Sequence, residues 1–305
     1  MNSKLLKSGH IKLYKRENSK YWQMKVKLPK LKAIRSSTGS KILKDAEKIA
    51  LKYYSSISSK TNIKLRTKNI FKKIHLVETA DLTKKEIEHI LDESKKYISF
   101  NKRKIKKINV LEGKTIFNLF FEDSTRTRTS FEVAAKRLGA DLINVVVKDS
   151  SINKGETLLD TMTTINSMNP DVLIVRHPEE GISKKISETV DASVINAGDG
   201  SHEHPTQALL DALTIKNKFE NFAKLKIAIC GDILHSRVAR SNIIILSKLG
   251  AKINVIGPKE WLPKSLNKLP VNVYTEMKKG LQNCDIVMML RIQTVSYTHL
   301  RAHET

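Results

Sequence analysis

The feature of this chain that most constrains its fold is an alternation of short apolar runs with amphipathic segments between residues 115 and 290. The apolar runs are shorter than ordinary helices and end in polar or glycine-containing turns, a pattern typical of buried strands. We predict strands at Thr115–Phe121, Asp141–Lys148, Val172–Arg176, Ser193–Ala197, Lys226–Cys230, Lys252–Ile256 and Cys284–Leu290. Because helices are predicted between these strands, the sequence indicates an α/β fold whose parallel sheets are covered on both faces.

Two doubly wound parallel-sheet domains are expected. The chain has 305 residues, which is long enough for two domains of ordinary size. A helix predicted over Pro205–Lys218 lies at the divide, so we expect domains over 68–204 and 205–293. Two other helices, predicted over Asp81–Phe100 and Arg128–Leu138, fall within the first of these domains.

The first 60 residues differ from the rest in charge and pattern. Residues 1–73 hold 21 of the 55 Lys and Arg but 3 of the 31 acidic residues, so most of the net charge of +24 lies there. Three short strands and a helix over Ile42–Ser56 predict a small basic β-β-β-α unit over 1–60. Gly9–Arg16, Tyr21–Trp22 and Ser36–Gly39 resemble the arm-type DNA-binding domain of tyrosine recombinases. DNA is therefore one expected partner; the alternatives are a solvated basic extension or a mis-joined start.

Other features of the composition exclude several classes of protein. No apolar run approaches the roughly 18 residues of a membrane span, and the basic N-terminus has no apolar signal region. Cys230 and Cys284 each lie in a strand-like apolar run. Two isolated buried thiols form neither a disulfide framework nor a metal site. We therefore expect a cytoplasmic protein with free core cysteines.

The strongest chemical signal is the segment from Phe117 to Gly139, in which a buried strand leads into Ser-Thr-Arg-Thr-Arg at 124–128. Ligands bind at the carboxyl ends of parallel strands, and a helix N-terminus offers unpaired N–H groups to an anion. Hydroxyl and guanidinium groups at this place add donors for phosphate oxygens. The alternative is a polar helix cap with solvent-exposed arginines.

Further motifs follow in order along the chain. They are Ser150–Glu156, Arg176–Pro178, Gly198–Gly200, His204–Gln207, Gly231–Asp232 with Ser236–Ala239, and Arg291–Gln293. With Ser124–Arg128 and the Ser-Phe-Glu at 130–132, this ordered set resembles the aspartate and ornithine carbamoyltransferases. The resemblance extends from about Lys68 to Gln293.

The resemblance implies roles for these residues in carbamoyl transfer, with no covalent nucleophile, no metal and no cofactor. The expected phosphate ligands are Ser124, Thr125, Arg126 and Thr127, and Arg126 would also stabilise the leaving group. Thr127, Arg176 and His204 would donate to the carbonyl oxygen, and Gln207 would hold the carbamoyl nitrogen. Ser150 and Lys154 would close the site from the adjacent subunit of a homotrimer, which regulatory chains could join.

Several of these residues also have plain structural interpretations when taken alone. His204 could be a helix-start residue packed under Pro205. Lys154 could lie in a surface turn, Arg176 in a strand-end salt bridge, and Arg237 in a solvated first turn. The ordered set of motifs, and no single residue, favours the site.

The amine substrate is expected to be L-aspartate, as in pyrimidine biosynthesis. Aspartate carries two carboxylates, for which bidentate arginines are natural partners. Arg237, Arg291 and Gln293, together with Lys154, match the positions that bind aspartate in the resembling enzymes, and Thr206 also favours this branch. Ornithine is the alternative substrate. An ornithine enzyme would need acidic side chains and a late His-Cys-Leu-Pro loop, and no His-Cys-Leu-Pro string occurs in this sequence.

The resemblance ends after Gln293. The tail over 294–305 shows no clear periodicity, so we expect an unrelated tail and an incomplete aspartate-binding domain. A third functional expectation follows: an inactive, truncated transferase joined to a DNA-binding unit.

Overall fold

The computed structural model describes residues 3–6, 10–27, 33–54, 56, 74–146 and 157–291. The chain divides into two compact units, Met1–Lys72 and Lys73–Thr305. The tail expected over 294–305 lies outside the described residues. Within the described part of the chain, no helix combines the length and apolar character needed to cross a membrane.

The first unit is an antiparallel sheet with a helix on one face. Its strands are β1 (Ser3–Leu6), β2 (Ile11–Tyr14), β3 (Gln23–Val26) and β4 (Ile34–Ser37), paired in that order. Helix α1 covers residues 43–54. Alternate residues of β2 and β3 pack with Trp22 and two alanines of α1 in a buried core: Ile11, Leu13, Met24, Val26, Ala46 and Ala50. Strand β1 was not predicted, because its short sequence has no alternation of its own and pairing with β2 defines it.

The second unit begins with an α/β half built on one parallel sheet. Its elements are α2 (Lys84–Ile98), β5 (Thr115–Phe120), α3 (Thr125–Leu138), β6 (Asp141–Val146), α4 (Leu158–Ser167), β7 (Val172–His177), α5 (Ile182–Ser187) and β8 (Ser193–Asp199). The strands pair in the order β6-β5-β7-β8. Phe117 and Leu119 of β5 pack with α4 and α5, while Ile116 and Phe120 pack on the other face with α3. The sheet is therefore covered on both faces.

A second parallel sheet completes this unit. Its half contains α6 (Pro205–Lys218), β9 (Lys226–Cys230), α7 (Arg237–Leu249), β10 (Lys252–Ile256), β11 (Val271–Tyr274), α8 (Met277–Gly280) and β12 (Ile286–Met289). The strands pair in the order β11-β10-β9-β12. Strand β11 was not predicted; it is an edge strand whose two central residues are exposed, so its sequence lacks a buried apolar run. The predicted α/β fold class, with two parallel sheets after a small basic unit, is confirmed.

Two helices begin three residues away from their predicted starts. Helix α2 starts at Lys84 rather than Asp81, because Thr83 and Glu86 exchange the hydrogen bonds of a capping box. Helix α3 starts at Thr125 rather than Arg128, and Ser124 occupies its N-cap position without a side-chain capping bond. The first turn of α3 therefore consists of Thr125, Arg126 and Thr127.

Candidate active site

Both sheets reverse their strand order beside a central strand, and this determines where a ligand site can form. Strand β5 lies between β6 and β7, and β9 lies between β10 and β12. In parallel α/β sheets, ligands bind in the crevice beyond the carboxyl ends of the strands at such a reversal. The chain leaving β5 continues through Glu122 into α3, and the chain leaving β12 reaches Arg291.

A cavity of about 960 Å³ opens at this place. It is lined by Asp123, Ser124, Thr125, Arg126, Thr127, Ser130, Phe131, Ala134, Arg176, His204, Thr206, Gln207, Leu210, Arg237, Val238 and Arg291. Every site residue predicted from the sequence that the structure describes is in this wall. The predicted site residues Ser150, Lys154 and Gln293 lie outside the described residues.

The first turn of α3 forms one side of the cavity. A helix N-terminus leaves its first backbone N–H groups without intrahelical partners and carries the positive end of the helix dipole. No acidic residue lies in this first turn. The hydroxyl of Ser124 makes no capping bond, and Arg126 lines the same wall. This combination of donors suits an oxyanion such as phosphate.

Glu122 joins two arginines of the cavity. Its Oε1 lies 2.8 Å from Nε of Arg176 in an ion pair and accepts a hydrogen bond of 2.7 Å from Nη2 of Arg237. Arg176 also donates through Nη1 to the carbonyl oxygen of Ala197 at 3.1 Å. Burial lowers the pKa of Arg176, the charge of Arg237 lowers it further, and Glu122 opposes both effects. One carboxylate therefore holds two cationic side chains close together.

Gly198 makes room for these arginines. A Cβ atom at this position would lie 3.0 Å from Nη1 of Arg176 and 3.3 Å from Nη1 of Arg237. Its φ of +115° is also a conformation that side-chain-bearing residues rarely adopt. A larger residue would press on the two guanidinium groups and hold a strained backbone, so this position favours glycine.

His204 precedes α6 and is buried in the cavity wall. Burial, followed by the positive charges of Arg176 and Arg237, lowers the pKa of His204 to about 3. Its ring Nδ1 lies 3.3 Å from the hydroxyl of Thr206. The imidazole is therefore neutral at physiological pH, and a neutral ring donates from one nitrogen only.

A buried network fixes the backbone at His204. The N–H of His204 donates to Oγ of Ser241 at 2.8 Å, and Ser241 donates in turn to Oε2 of Glu203. The same Glu203 oxygen accepts from both N and Oγ1 of Thr79, at 2.7 and 2.5 Å. Burial raises the pKa of Glu203, although the hydrogen bonds from Thr79 oppose this. The network links the segments before α2 and α6 to helix α7.

Sequence reasoning missed the residues that hold the lining side chains in place. From the sequence, no role was predicted for Glu122, Glu203, Ser241 or Asp211. Two signals were present in the sequence: Glu203 directly precedes His204, and Asp211 lies four residues after Gln207, on the same helix face.

Most of this chain is similar to known proteins. The model of the aspartate/ornithine carbamoyltransferase carbamoyl-P binding domain matches residues 74–217. The aspartate carbamoyltransferase catalytic subunit of Pelagibacter ubique is 54% identical over 224 residues, which cover 73% of this chain and 72% of the relative. The corresponding subunit of Bradyrhizobium diazoefficiens is 54% identical over 219 residues, covering 72% and 70%.

Solved structures give the same result. The catalytic subunit of M. Jannaschii aspartate transcarbamoylase superposes with a TM-score of 0.65 and 36% identity, covering 76% of this chain and 78% of that one. Aspartate transcarbamoylase from Trypanosoma cruzi in complex with carbamoyl phosphate gives a TM-score of 0.67 and 29% identity, covering 75% of each chain. With more than half of the matched residues identical and over two thirds of the relatives covered, this chain belongs to the family of aspartate carbamoyltransferase catalytic subunits.

Proposed function

We propose that this chain transfers the carbamoyl group of carbamoyl phosphate to the amine of L-aspartate, giving N-carbamoyl-L-aspartate and phosphate. The amine nitrogen bonds to the carbonyl carbon, the bond from that carbon to the phosphate oxygen breaks, and one amine proton is lost. Because an acyl phosphate is already activated, the protein must hold phosphate, polarise the carbonyl and position the amine. The proposal rests chiefly on the first turn of α3, Arg176 and His204 lining one cavity.

The phosphate group is assigned to Ser124, Thr125, Arg126 and Thr127. Their hydroxyl and backbone donors surround the N-terminus of α3, where the helix dipole favours an anion. A guanidinium can bind two phosphate oxygens at once. Arg126 is therefore suited to stabilise the charge that develops on the leaving phosphate.

The carbonyl oxygen is assigned to Thr127, Arg176 and His204. This oxygen gains negative charge in the tetrahedral transition state, so donors directed at it lower the barrier. The low pKa of His204, about 3, means that its ring acts as a neutral donor and not as an acid. A Thr206 hydroxyl that donates to Nδ1 would leave the ring proton on Nε2.

The two carboxylates of aspartate are assigned to Arg237 and Arg291, with Lys154 and Gln293 as further contacts. Nη1 of Arg237 is buried and has no hydrogen-bond partner among the described residues, and an unpaired buried guanidinium N–H favours an anionic ligand. Two arginines suit a dicarboxylate, whereas the cationic side chain of ornithine would be repelled.

Assays of the full chain with carbamoyl phosphate and either amine test this proposal. We expect N-carbamoyl-L-aspartate from L-aspartate and no product from L-ornithine. Arg126→Ala should lower the rate by roughly 10²- to 10³-fold, whereas the matched change Arg103→Ala, outside the cavity, should not. Turnover with ornithine alone, or with neither amine, would overturn the assignment.

The active assembly is proposed to be a homotrimer in which Ser150 and Lys154 enter the cavity of the adjacent subunit. Among the residues that the structure describes, no lysine lines the cavity, so a lysine from another chain would add a missing charge. Chains carrying Lys154→Ala and chains carrying Arg126→Ala should each be inactive, yet regain activity in mixed trimers. A mixture as inactive as its components would argue against shared sites.

A second function, DNA binding, is proposed for the N-terminal unit. Strand pairing places Lys12 opposite Lys25 and Lys25 opposite Arg35, on the sheet face away from α1. These three cations line a shallow cavity with Tyr14, Arg16 and Ser3, and none of the three forms a salt bridge among the described residues. Directly opposed like charges destabilise a sheet unless an anion covers them, and a phosphate backbone supplies such an anion.

Binding of the full chain to duplex DNA at several salt concentrations tests this second function. The affinity should fall steeply as salt rises, and Lys25→Glu should weaken it and reduce the salt dependence. Lys52→Glu, on α1, is a matched charge reversal away from the cation row and should have a smaller effect. Equal losses in both variants would show that net charge alone, and not this face, attracts DNA.

A further inference from the structure

Gln207 is held by a carboxylate that lies outside the cavity lining. Nε2 of Gln207 donates to Oδ1 of Asp211 at 2.9 Å, one helical turn later in α6. A carboxylate accepts hydrogen bonds but cannot donate them. The amide must therefore turn its NH2 group towards Asp211, which directs its carbonyl oxygen Oε1 the other way.

Asp211 is itself fixed from a different helix. Its second oxygen, Oδ2, accepts from Nδ2 of Asn242 in α7 at 2.8 Å. Asn242 is fully buried, and its Nδ2 also donates to the backbone carbonyl of Val238 at 3.1 Å. Because both acceptors require the NH2 group, the orientation of Asn242 is determined as well.

This arrangement differs from an isolated pair of residues four apart on a helix surface, which contributes little. Both carboxylate oxygens are engaged, by partners on two helices, and the Asn242 anchor is inaccessible to solvent. Gln207 lines the cavity beside His204 and Arg176. An acceptor there would face a ligand group that carries N–H donors.

We propose that Asp211 is a positioning residue that presents Gln207 Oε1 as a hydrogen-bond acceptor and thereby selects an acyl phosphate bearing an NH2 group over one bearing a methyl group. The inference rests on the proposed carbamoyl transfer and adds a determinant of substrate choice to it. The NH2 of carbamoyl phosphate is a donor that Oε1 accepts, whereas the methyl of acetyl phosphate has no N–H to offer.

The variant Asp211→Asn tests this with little change in shape. Asn242 keeps its NH2 group on the Val238 carbonyl, so the new amide must turn its oxygen towards Asn242 and its own NH2 towards Gln207. Gln207 then has to rotate and accept, which exposes its NH2 group to the cavity. The NH2 group of Gln207 would then face the NH2 group of carbamoyl phosphate, so that two donors would meet.

The readout is the dissociation constants of carbamoyl phosphate and of acetyl phosphate, measured on the full chain. In Asp211→Asn we expect carbamoyl phosphate to bind about 10- to 100-fold more weakly, and acetyl phosphate to change by less than about threefold. In a Gln207→Ala background the same substitution should no longer alter the ratio of the two constants. The matched control is Asp92→Asn, which removes a carboxylate bonded to Lys216. Lys216 lies in α6, as Asp211 does.

Equal weakening of both ligands would leave the ratio of the two dissociation constants unchanged, assign Asp211 a merely structural role and overturn the inference. No weakening of either ligand would overturn it as well. Failure of the proposed function is distinguishable from these results. If the unmodified chain binds carbamoyl phosphate but produces no N-carbamoyl-L-aspartate, the transfer proposal fails while the binding ratio still decides the role of Asp211. If it does not bind carbamoyl phosphate, both proposals fall.

Discussion

Nη2 of Arg237 donates to Oε1 of Glu122 at 2.7 Å, although the two residues are 115 positions apart. Glu122 follows a strand of the first parallel sheet and Arg237 begins a helix beside the second. The bond therefore joins the two α/β halves at the cavity. Since Arg176 is paired with the same oxygen, Glu122 couples a proposed carbonyl donor to a proposed aspartate ligand.

Replacing Glu122 by Gln should impair carbamoyl transfer more than it impairs the stability of the fold. Without the bridging charge, the guanidinium groups of Arg176 and Arg237 repel each other and leave their positions. Hydrogen bonds to charged groups contribute about 1.5–3 kcal/mol, so kcat/KM should fall roughly 10- to 100-fold. Steady-state kinetics check this, with the exposed substitution Glu179→Gln as control. A value within twofold of the unmodified chain would contradict the prediction.

The pKa of His204 predicts a loss of stability in acid. The folded state holds this pKa at about 3, below the ordinary value near 6.5, so the unfolded chain binds the proton first. The contribution of neutral His204 to the stability of the folded state is complete above about pH 6.5 and is lost as the pH falls towards 3. At pH 5 the loss is about 2 kcal/mol.

Denaturant unfolding of the unmodified chain and of His204→Gln at pH 7 and pH 5 measures this effect. The free energy of unfolding should fall by about 2 kcal/mol more in the unmodified chain than in the variant. Subtracting the loss in the variant from the loss in the unmodified chain removes the contributions of other groups, including Glu203, whose pKa is raised. Parallel pH profiles would show that His204 is not the group responsible.

Lys248, in the last turn of α7, should stabilise the junction of the two α/β halves. Its ammonium donates to the carbonyl oxygens of Thr79, Ala80 and Leu82 at 3.0, 2.5 and 2.7 Å. Lys248→Met keeps the apolar stem and removes the donors, which should lower the free energy of unfolding by about 1–3 kcal/mol. Urea unfolding checks this against Lys252→Met, an exposed position; similar midpoints for both variants would count against it.

The cation row of the N-terminal sheet predicts a gain in stability from a charge reversal. Lys25 stands between Lys12 and Arg35 on the neighbouring strands. Lys25→Glu converts two repulsive pairs into attractive ones, each change amounting to roughly 0.2–1 kcal/mol at low salt. Amide hydrogen exchange in β2, β3 and β4 should slow in the variant, and 1 M salt should reduce the difference. Faster exchange would contradict the prediction.

Much of the α/β architecture could be predicted because its signals are local. Apolar runs and turn residues identify buried strands without knowledge of their partners. Helix boundaries were wrong where a capping interaction intervened, as at Thr83, whose capping box starts α2 at Lys84 rather than at the predicted Asp81. β11 was missed because an exposed edge strand needs no apolar pattern.

The sequence by itself determined the α/β class and most of the strands and helices, and it predicted which residues would carry the donors for an anionic ligand. Only the tertiary structure decided what holds those residues: Glu122 for Arg237, Ser241 for His204, and Asn242 for Asp211. Helical and strand periodicity arises from contacts within a few residues, so the sequence displays it directly. Pairings between residues distant in the sequence depend on how two sheets and their helices pack, and no local pattern records that.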